Sequence, residues 1–123
     1  MIDNFPILTP GRLLLRQFTD SDLENVFKGL SDPEVIKYYG ISFDTMEAAR
    51  LQMKWFAELE NNNTGIWWAV CSIENDIFYG ACGLYYLSKQ HKKAEIGFWL
   101  LREFFQTFRQ VFPRSILKSK RLR

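Results

Sequence analysis

One carboxylate in this chain sits inside an otherwise apolar run: Glu95 in Ala94-Glu-Ile-Gly-Phe-Trp-Leu-Leu101. In an extended strand with a period of two, it shares a face with Gly97 and Trp99. A carboxylate in such a setting could take up a proton, directly or through water, and partial burial would raise its pKa toward a useful range. The same residue suits an ion pair or a structural hydrogen bond on a strand face, and the residues alone leave both readings open. His91 is the only histidine, so a Ser-His-Asp or Cys-His arrangement would have to be built on it. It lies between Gln90 and Lys92 in a polar stretch, where a solvated side chain is expected. Cys71 and Cys82 lack Cys-x-x-Cys or Cys/His spacing, so neither a zinc site nor a disulfide framework is indicated. They read as two reduced core thiols, and no metal is expected.

A second kind of chemistry is signalled by glycine. All seven glycines lie at or before Gly97, so nothing beyond the apolar run is free to adopt the φ > 0 turns of a phosphate-cradling loop. Charge changes at the same place. Residues 1–99 carry 9 Lys+Arg against 13 Asp+Glu, whereas residues 100–123 carry 7 against one, Glu103. The net charge of +2 therefore hides an acidic body and a basic tail. That tail, with no aromatic residue after Phe112, predicts neither a specific nucleic-acid partner nor a membrane partner.

These residues must be held by elements that the sequence announces. Arg12-Leu-Leu-Leu-Arg16 predicts a short strand, and Thr19-Asp-Ser-Asp22 offers N-cap chemistry for a helix whose apolar stripe is Leu23, Val26, Phe27 and Leu30. Ser31-Asp32-Pro33-Glu34 restarts a short helix, with Gly40 ending it. Asp44-Thr-Met-Glu47 opens a longer helix with Ala48, Leu51, Trp55 and Leu59 as the expected buried face, stopped by Asn61-Asn-Asn-Thr-Gly65. The period then becomes two. Trp67, Ala69, Cys71 and Ile73 point one way, Trp68, Val70 and Ser72 the other, and Glu74-Asn-Asp76 turns the chain. Phe78 to Leu87 returns, with Gly80 and Gly83 predicting a bulge or a close backbone approach. The result is an α+β meander with a mostly antiparallel sheet of about four strands and two to three helices. Phe104, Phe105, Phe108, Val111 and Phe112 recur at helical spacing, which adds an amphipathic helix ended by Pro113.

A chain of 123 residues with 47% hydrophobic and 16% aromatic content can bury a core as a single domain. It has no apolar run of about 18 residues and no secretory leader pattern, so a cytoplasmic protein is expected.

At Arg12-Leu-Leu-Leu-Arg16, Asp32-Pro-Glu-Val, Gly80-Ala-Cys-Gly-Leu84 and above all Ala94-Glu-Ile-Gly-Phe-Trp-Leu, the sequence resembles the GNAT superfamily of N-acetyltransferases. The branch it is most similar to acetylates ribosomal-protein N-termini and, in relatives, small amines. The resemblance implies acetyl-CoA as co-substrate and a primary amine or protein N-terminus as acceptor. It further implies that the strand over 94–100 holds the pantetheine arm through backbone groups of Phe98, Trp99 and Leu100, with Glu95 as the proton acceptor. Trp67, Trp68, Tyr85, Tyr38 and Tyr39 are candidates to line an acceptor pocket, with core packing as the competing reading for each, and Phe27 and Val35 are read with the same caution.

In that family a loop of the form Gln/Arg-x-x-Gly-x-Gly/Ala follows the strand and binds the pyrophosphate. Here Arg109 and Val111 stand where the glycines belong if Gln106 is its first residue. Residues 1–101 are therefore expected to form the N-terminal and central part of an acetyltransferase domain. Residues 102–123 read as a divergent basic tail, an out-of-frame product of a truncated or frameshifted gene or else a tail with its own role. Weak or absent activity is expected of such a chain. The alternative is a non-catalytic remnant that forms a homodimer through the strand over 94–101.

Overall fold

The fold is taken from a computed structural model, which describes residues 5–37, 44–88 and 93–105. Strand β1 (Leu13–Arg16) leads through a 3-10 turn (Asp20–Asp22) into helix α1 (Leu23–Leu30), a short helix α2 (Pro33–Ile36) and the long helix α3 (Met46–Asn61). Three strands follow, β2 (Gly65–Ser72), β3 (Phe78–Ser88) and β4 (Lys93–Leu100), and then a 3-10 turn at Arg102–Phe104. The sheet order is β1-β2-β3-β4 and every pairing is antiparallel. This is the α+β meander that the periodicity predicts.

Helices α2 and α3 begin at residues whose side chains accept a free N–H, and the turn before α1 is closed by a side chain. Before α1, the Thr19 N–H donates to Asp22 Oδ2 at 2.8 Å. Asp32 accepts from the Glu34 N–H at 3.0 Å and Pro33 fills the first turn of α2. Thr45, inside the expected box, caps α3 by accepting from the Ala48 N–H at 3.1 Å. At the other end of α3 the Thr64 N–H returns to the Leu59 carbonyl and the Asn63 N–H to that of Glu60. Asn63 adopts φ 57°, so asparagine does there what glycine does at many helix ends.

The inward face of α3 agrees with the expected one at Leu59 and differs at its other three positions. Ala49, Gln52, Phe56, Leu59 and Glu60 are buried, whereas Leu51 is 57% exposed and Ala48 and Trp55 are half-buried. The buried set includes Gln52 and Glu60, which a search for apolar residues passes over. Leu51 precedes Gln52 by one position, about 100° around the helix, and so turns outward once Phe56 is docked.

Phe56 docks on Trp67, and Trp67 organises the sheet. The two rings stack at 5.1 Å with an interplanar angle of 19°. Trp67 on β2 faces Gly83 on β3, which in turn faces Gly97 on β4. A Cβ on either glycine would run into the Trp67 indole, so the ring lies flat across two strands in a slot made by missing side chains. Gly80 serves differently, since a Cβ there would strike the backbone carbonyl of Trp99. Next to it the register slips, with Val70 opposite Gly80 but Cys71 opposite Phe78, so Tyr79 is the extra residue of a bulge.

The other face of β2 is not bare. Trp68 Nε1 donates to the Pro6 carbonyl at 2.8 Å and Phe5 meets its ring edge-on, while Leu8 pairs by its backbone with Leu15 along the outer edge of β1. Arg16 ties the elements together. Its guanidinium binds both oxygens of the buried Asp22 at 2.8 and 2.9 Å and reaches Asp76 in the β2–β3 turn at 3.0 Å. Chiefly through the Asp22 bond, and against the effect of burial, its pKa is pushed above the ordinary arginine value.

Replacing Gly97 or Gly83 by alanine should lower unfolding free energy by about 1–3 kcal/mol each, the usual range for overpacking; chemical denaturation measures it. The two α3 readings also separate cleanly by that measurement. Leu51→Ala should change stability by less than about 0.5 kcal/mol, whereas Phe56→Ala should cost about 3–5 kcal/mol.

Candidate functional site

Strand β4 is the edge of the described sheet, and its alternation decides what it can offer. Trp99 and Leu100 are 1% and 5% exposed, so both side chains belong to the packing. Trp99 lies against Gly29 of α1, where a Cβ would collide with the indole, and against Phe78 at 5.9 Å. Phe98 is half-buried and Ile96 is 48% exposed. For the three expected cofactor-strand residues, the main chain is therefore the part suited to an extended ligand.

Glu95 is half-buried and stands opposite Tyr85 of β3. Tyr85 meets Trp55 edge-on at 5.3 Å, and Trp55 lies 6.3 Å from Trp67. An aromatic wall thus runs from the register partner of Glu95 to the core. It is not the pocket of paired tryptophans that neighbouring sequence positions suggest. Trp67 is fully buried, and Trp68 points to the opposite face of the sheet, so the two cannot line one cavity. Phe27 packs against the core and Val35 is buried within it. Tyr38, Tyr39 and His91 lie outside the described residues.

The direction in which the chain leaves β4 is fixed by four contacts. The Leu101 N–H donates to the Tyr79 carbonyl at 2.8 Å, and Leu101 is buried. The Arg102 guanidinium grips the Asp32 carboxylate, with Nε at 3.1 Å, while Lys28 pairs with Glu103 at 2.7 Å. Phe104 meets Tyr79 edge-on at 4.7 Å. The turn is thereby laid against α1 and α2, and the Arg102 hydrogen bond holds the Asp32 carboxyl below its usual range. Gln106, Arg109, Val111 and most of the expected amphipathic helix lie outside the described residues.

Other nucleophile and metal chemistry finds little support here. Burial pushes the thiols of Cys71 and Cys82 up to about 12, so both are protonated at neutral pH and poor nucleophiles. Among the described residues no three His, Cys, Asp or Glu side chains are grouped to hold a metal, and no helix is long and apolar enough to cross a membrane. Sequence reasoning missed the Arg16–Asp22–Asp76 clamp and a hydrogen bond between Gln17 and Glu60. Both join residues tens of positions apart, and no local period reports such a meeting.

Comparison with known proteins gives one family at each level. Residues 12–108 match the acetyltransferase (GNAT) domain. The chain is 37% identical over 100 residues to the uncharacterized N-acetyltransferase YoaA of Bacillus subtilis, covering 80% of this chain and 56% of that protein. Among solved structures, a GNAT-family acetyltransferase from Bacillus anthracis superposes with a TM-score of 0.69 at 24% identity, over 93% of this chain and 65% of its own. The ribosomal-protein alpha-N-acetyltransferase RimL, solved with coenzyme A, gives 0.64 at 14%, over 91% and 61%. A spermidine N-acetyltransferase from Vibrio cholerae, in complex with coenzyme A and spermine, gives 0.67 at 14%, over 90% and 64%. The chain spans little more than half the length of its curated relative. With the family's domain model matched over residues 12–108, most of its length, the chain belongs to the GNAT acetyltransferase family.

Proposed function

We propose that this chain carries the acetyl-donor half of an N-acetyltransferase acting in the cytoplasm on a primary amine or a protein N-terminus. The observation that carries the reading is the position of β4: an edge strand bearing the family's sequence, with the side chains of Trp99 and Leu100 turned into the packing. Such a strand suits an extended amide-containing ligand, because its main chain can pair with the ligand as a further strand would. In this reading the pantetheine arm of acetyl-CoA runs along Phe98, Trp99 and Leu100. Bound acetyl-CoA supplies an activated acetyl thioester. The residues of this chain supply position and proton transfer: Glu95, half-buried beside Tyr85, accepts the proton that the amine gives up as its nitrogen bonds to the acetyl carbon, while the carbon–sulfur bond breaks and the coenzyme A thiolate leaves, to be protonated from solvent. The aromatic wall of Tyr85 and Trp55 keeps one side of that carboxylate apolar. Two free thiols accord with a reducing compartment. RimL and the spermidine enzyme are named for protein and amine acceptors, which supports this acceptor class and leaves the choice within it to experiment.

Binding by this chain is expected to be weak, since Arg109 and Val111 replace the glycines whose close-approaching amides hold a pyrophosphate. Calorimetry with acetyl-CoA tests both parts. The native chain should bind in the millimolar range, and R109G/V111G should tighten binding by about tenfold or more, the value of one charge-assisted hydrogen bond. Micromolar binding by the native chain would refute the weak-binding reading. No gain in the double variant would detach those two positions from the cofactor.

A second reading, a homodimer formed through residues 94–101, is favoured by the edge position of β4 and the exposure of Ile96. Light scattering should then give twice the monomer mass, and Ile96→Lys should return the monomer. A monomeric native chain would eliminate it.

A further inference from the structure

A groove of about 530 Å3 opens between the end of β1 and α3. It lies at the β1 edge of the sheet, three strand spacings or roughly 14 Å from β4. Its floor is apolar. Phe18 and Phe56 stack there at 4.8 Å, with Leu23, Met53 and Ala57 around them. One charged group lines its inner end, Glu60, which is only 6% exposed.

The surroundings of that carboxylate are unusual for a buried charge. The Gln17 side-chain amide donates to Glu60 Oε1 at 2.9 Å. Among the described residues no Lys or Arg forms an ion pair with it; Arg16, next to Gln17 in the chain, is engaged by Asp22 and Asp76, and Arg50 by Glu47. Withdrawing a carboxylate from water costs several kcal/mol unless a cation and further hydrogen bonds compensate it. A neutral amide supplies only part of that compensation. The open groove lets a ligand's cation reach that carboxylate.

The mouth limits how many charges can enter. Arg50 and Lys54 on α3 stand at the rim and are exposed, and the one acidic rim residue is Asp20. With Arg50 paired to Glu47, Lys54 is the rim cation that has no ion pair among the described residues, and it disfavours a second ammonium placed beside it. An apolar body is accepted instead, since the stacked phenylalanines and Met53 offer it contact area.

We propose that this groove binds a primary monoamine with an aromatic or aliphatic body, the ammonium on Glu60 and the body over Phe18 and Phe56. The site is separate from the β4 strand, and its occupation requires no acetyl-CoA, so its test is independent of the acetyltransferase reading.

Calorimetry on the full chain with 2-phenylethylamine tests the proposal, using 2-phenylethanol, 3-phenylpropionate and spermidine as charge controls. The amine should bind saturably with one site, and the alcohol and the carboxylate at least about tenfold more weakly, the loss of one charge-assisted hydrogen bond. Glu60→Gln, nearly isosteric and still able to accept from Gln17, should weaken the amine by a similar factor, with circular dichroism confirming its fold. Lys54→Glu changes only an exposed rim residue and should raise spermidine affinity relative to the native chain. The proposal is overturned by equal binding of alcohol and amine, by an unchanged affinity in folded Glu60→Gln, by spermidine binding the native chain better than the monoamine, or by no saturable amine binding at millimolar concentration. If Glu60→Gln fails to fold, Ala57→Leu, which narrows the groove and leaves β4 untouched, takes its place; it should weaken the amine by a similar factor, and an unchanged affinity overturns the proposal.

Discussion

The Trp67 indole lies flat across the sheet, and the rest of the molecule is arranged around the space it needs. A ring of that size can sit on a pleated surface only where neighbouring strands carry no side chain, and Gly83 and Gly97 provide that room on two adjacent strands. Because the register is antiparallel and the period is two, fixing these three residues opposite one another fixes which faces their neighbours on β2, β3 and β4 present, as far as the bulge at Tyr79. Phe56 then stacks on the ring from above, which sets the rotation of α3 and turns Leu51 outward. Trp99 repeats the device at the next layer, using Gly29 of α1 as its room.

This packing has a direct bearing on the candidate site. Since Gly97 is committed to Trp67 and Trp99 to α1, the inner face of β4 is closed by aromatic rings below Glu95. The carboxylate is left at the open end of that face, beside Tyr85 and the Trp55 wall. What remains for ligand contact along most of β4 is its main chain. A rigid strand backbone, immobilised by two buried indoles, is a good support for an extended amide ligand because little ordering remains to be done on binding. The Arg102–Asp32 and Lys28–Glu103 pairs extend this rigidity by one turn, although exposed pairs such as the second add little stability by themselves.

Polar groups do the remaining organisation. Arg16 and Asp22, partners in a largely buried pair, join β1 to the start of α1, and Asp76 brings in the β2–β3 turn. Most of this assembly was legible in the sequence only as separate pieces. The caps at Thr19, Asp32 and Thr45 are local, so each can be read from a few consecutive residues, and the strands announce themselves by alternation. The bulge at Tyr79 is announced by Gly80, whereas the clamp to Asp76 and the Gln17–Glu60 contact join positions far apart in the chain. Buried polar residues such as Gln52 and Glu60 also break the apolar stripe on which a helix face is judged, which is why the expected face holds at Leu59 but lies one position off at Ala48, Leu51 and Trp55.

By itself, then, the sequence determined the order and type of the elements, the antiparallel alternation and the family to which the strand around Glu95 points. These follow from short-range chemistry: capping, turn residues and hydrophobic period act within a few residues and survive being read one segment at a time. Tertiary structure alone decided that Trp67 is core and cannot share a pocket with Trp68, that Leu51 faces solvent, and that β4 offers its backbone at the sheet edge. It also placed a buried carboxylate at the end of an open groove. Each of these depends on which surfaces meet when the glycine slot closes over an indole, and such a meeting of distant residues has no counterpart in any local stretch of the chain.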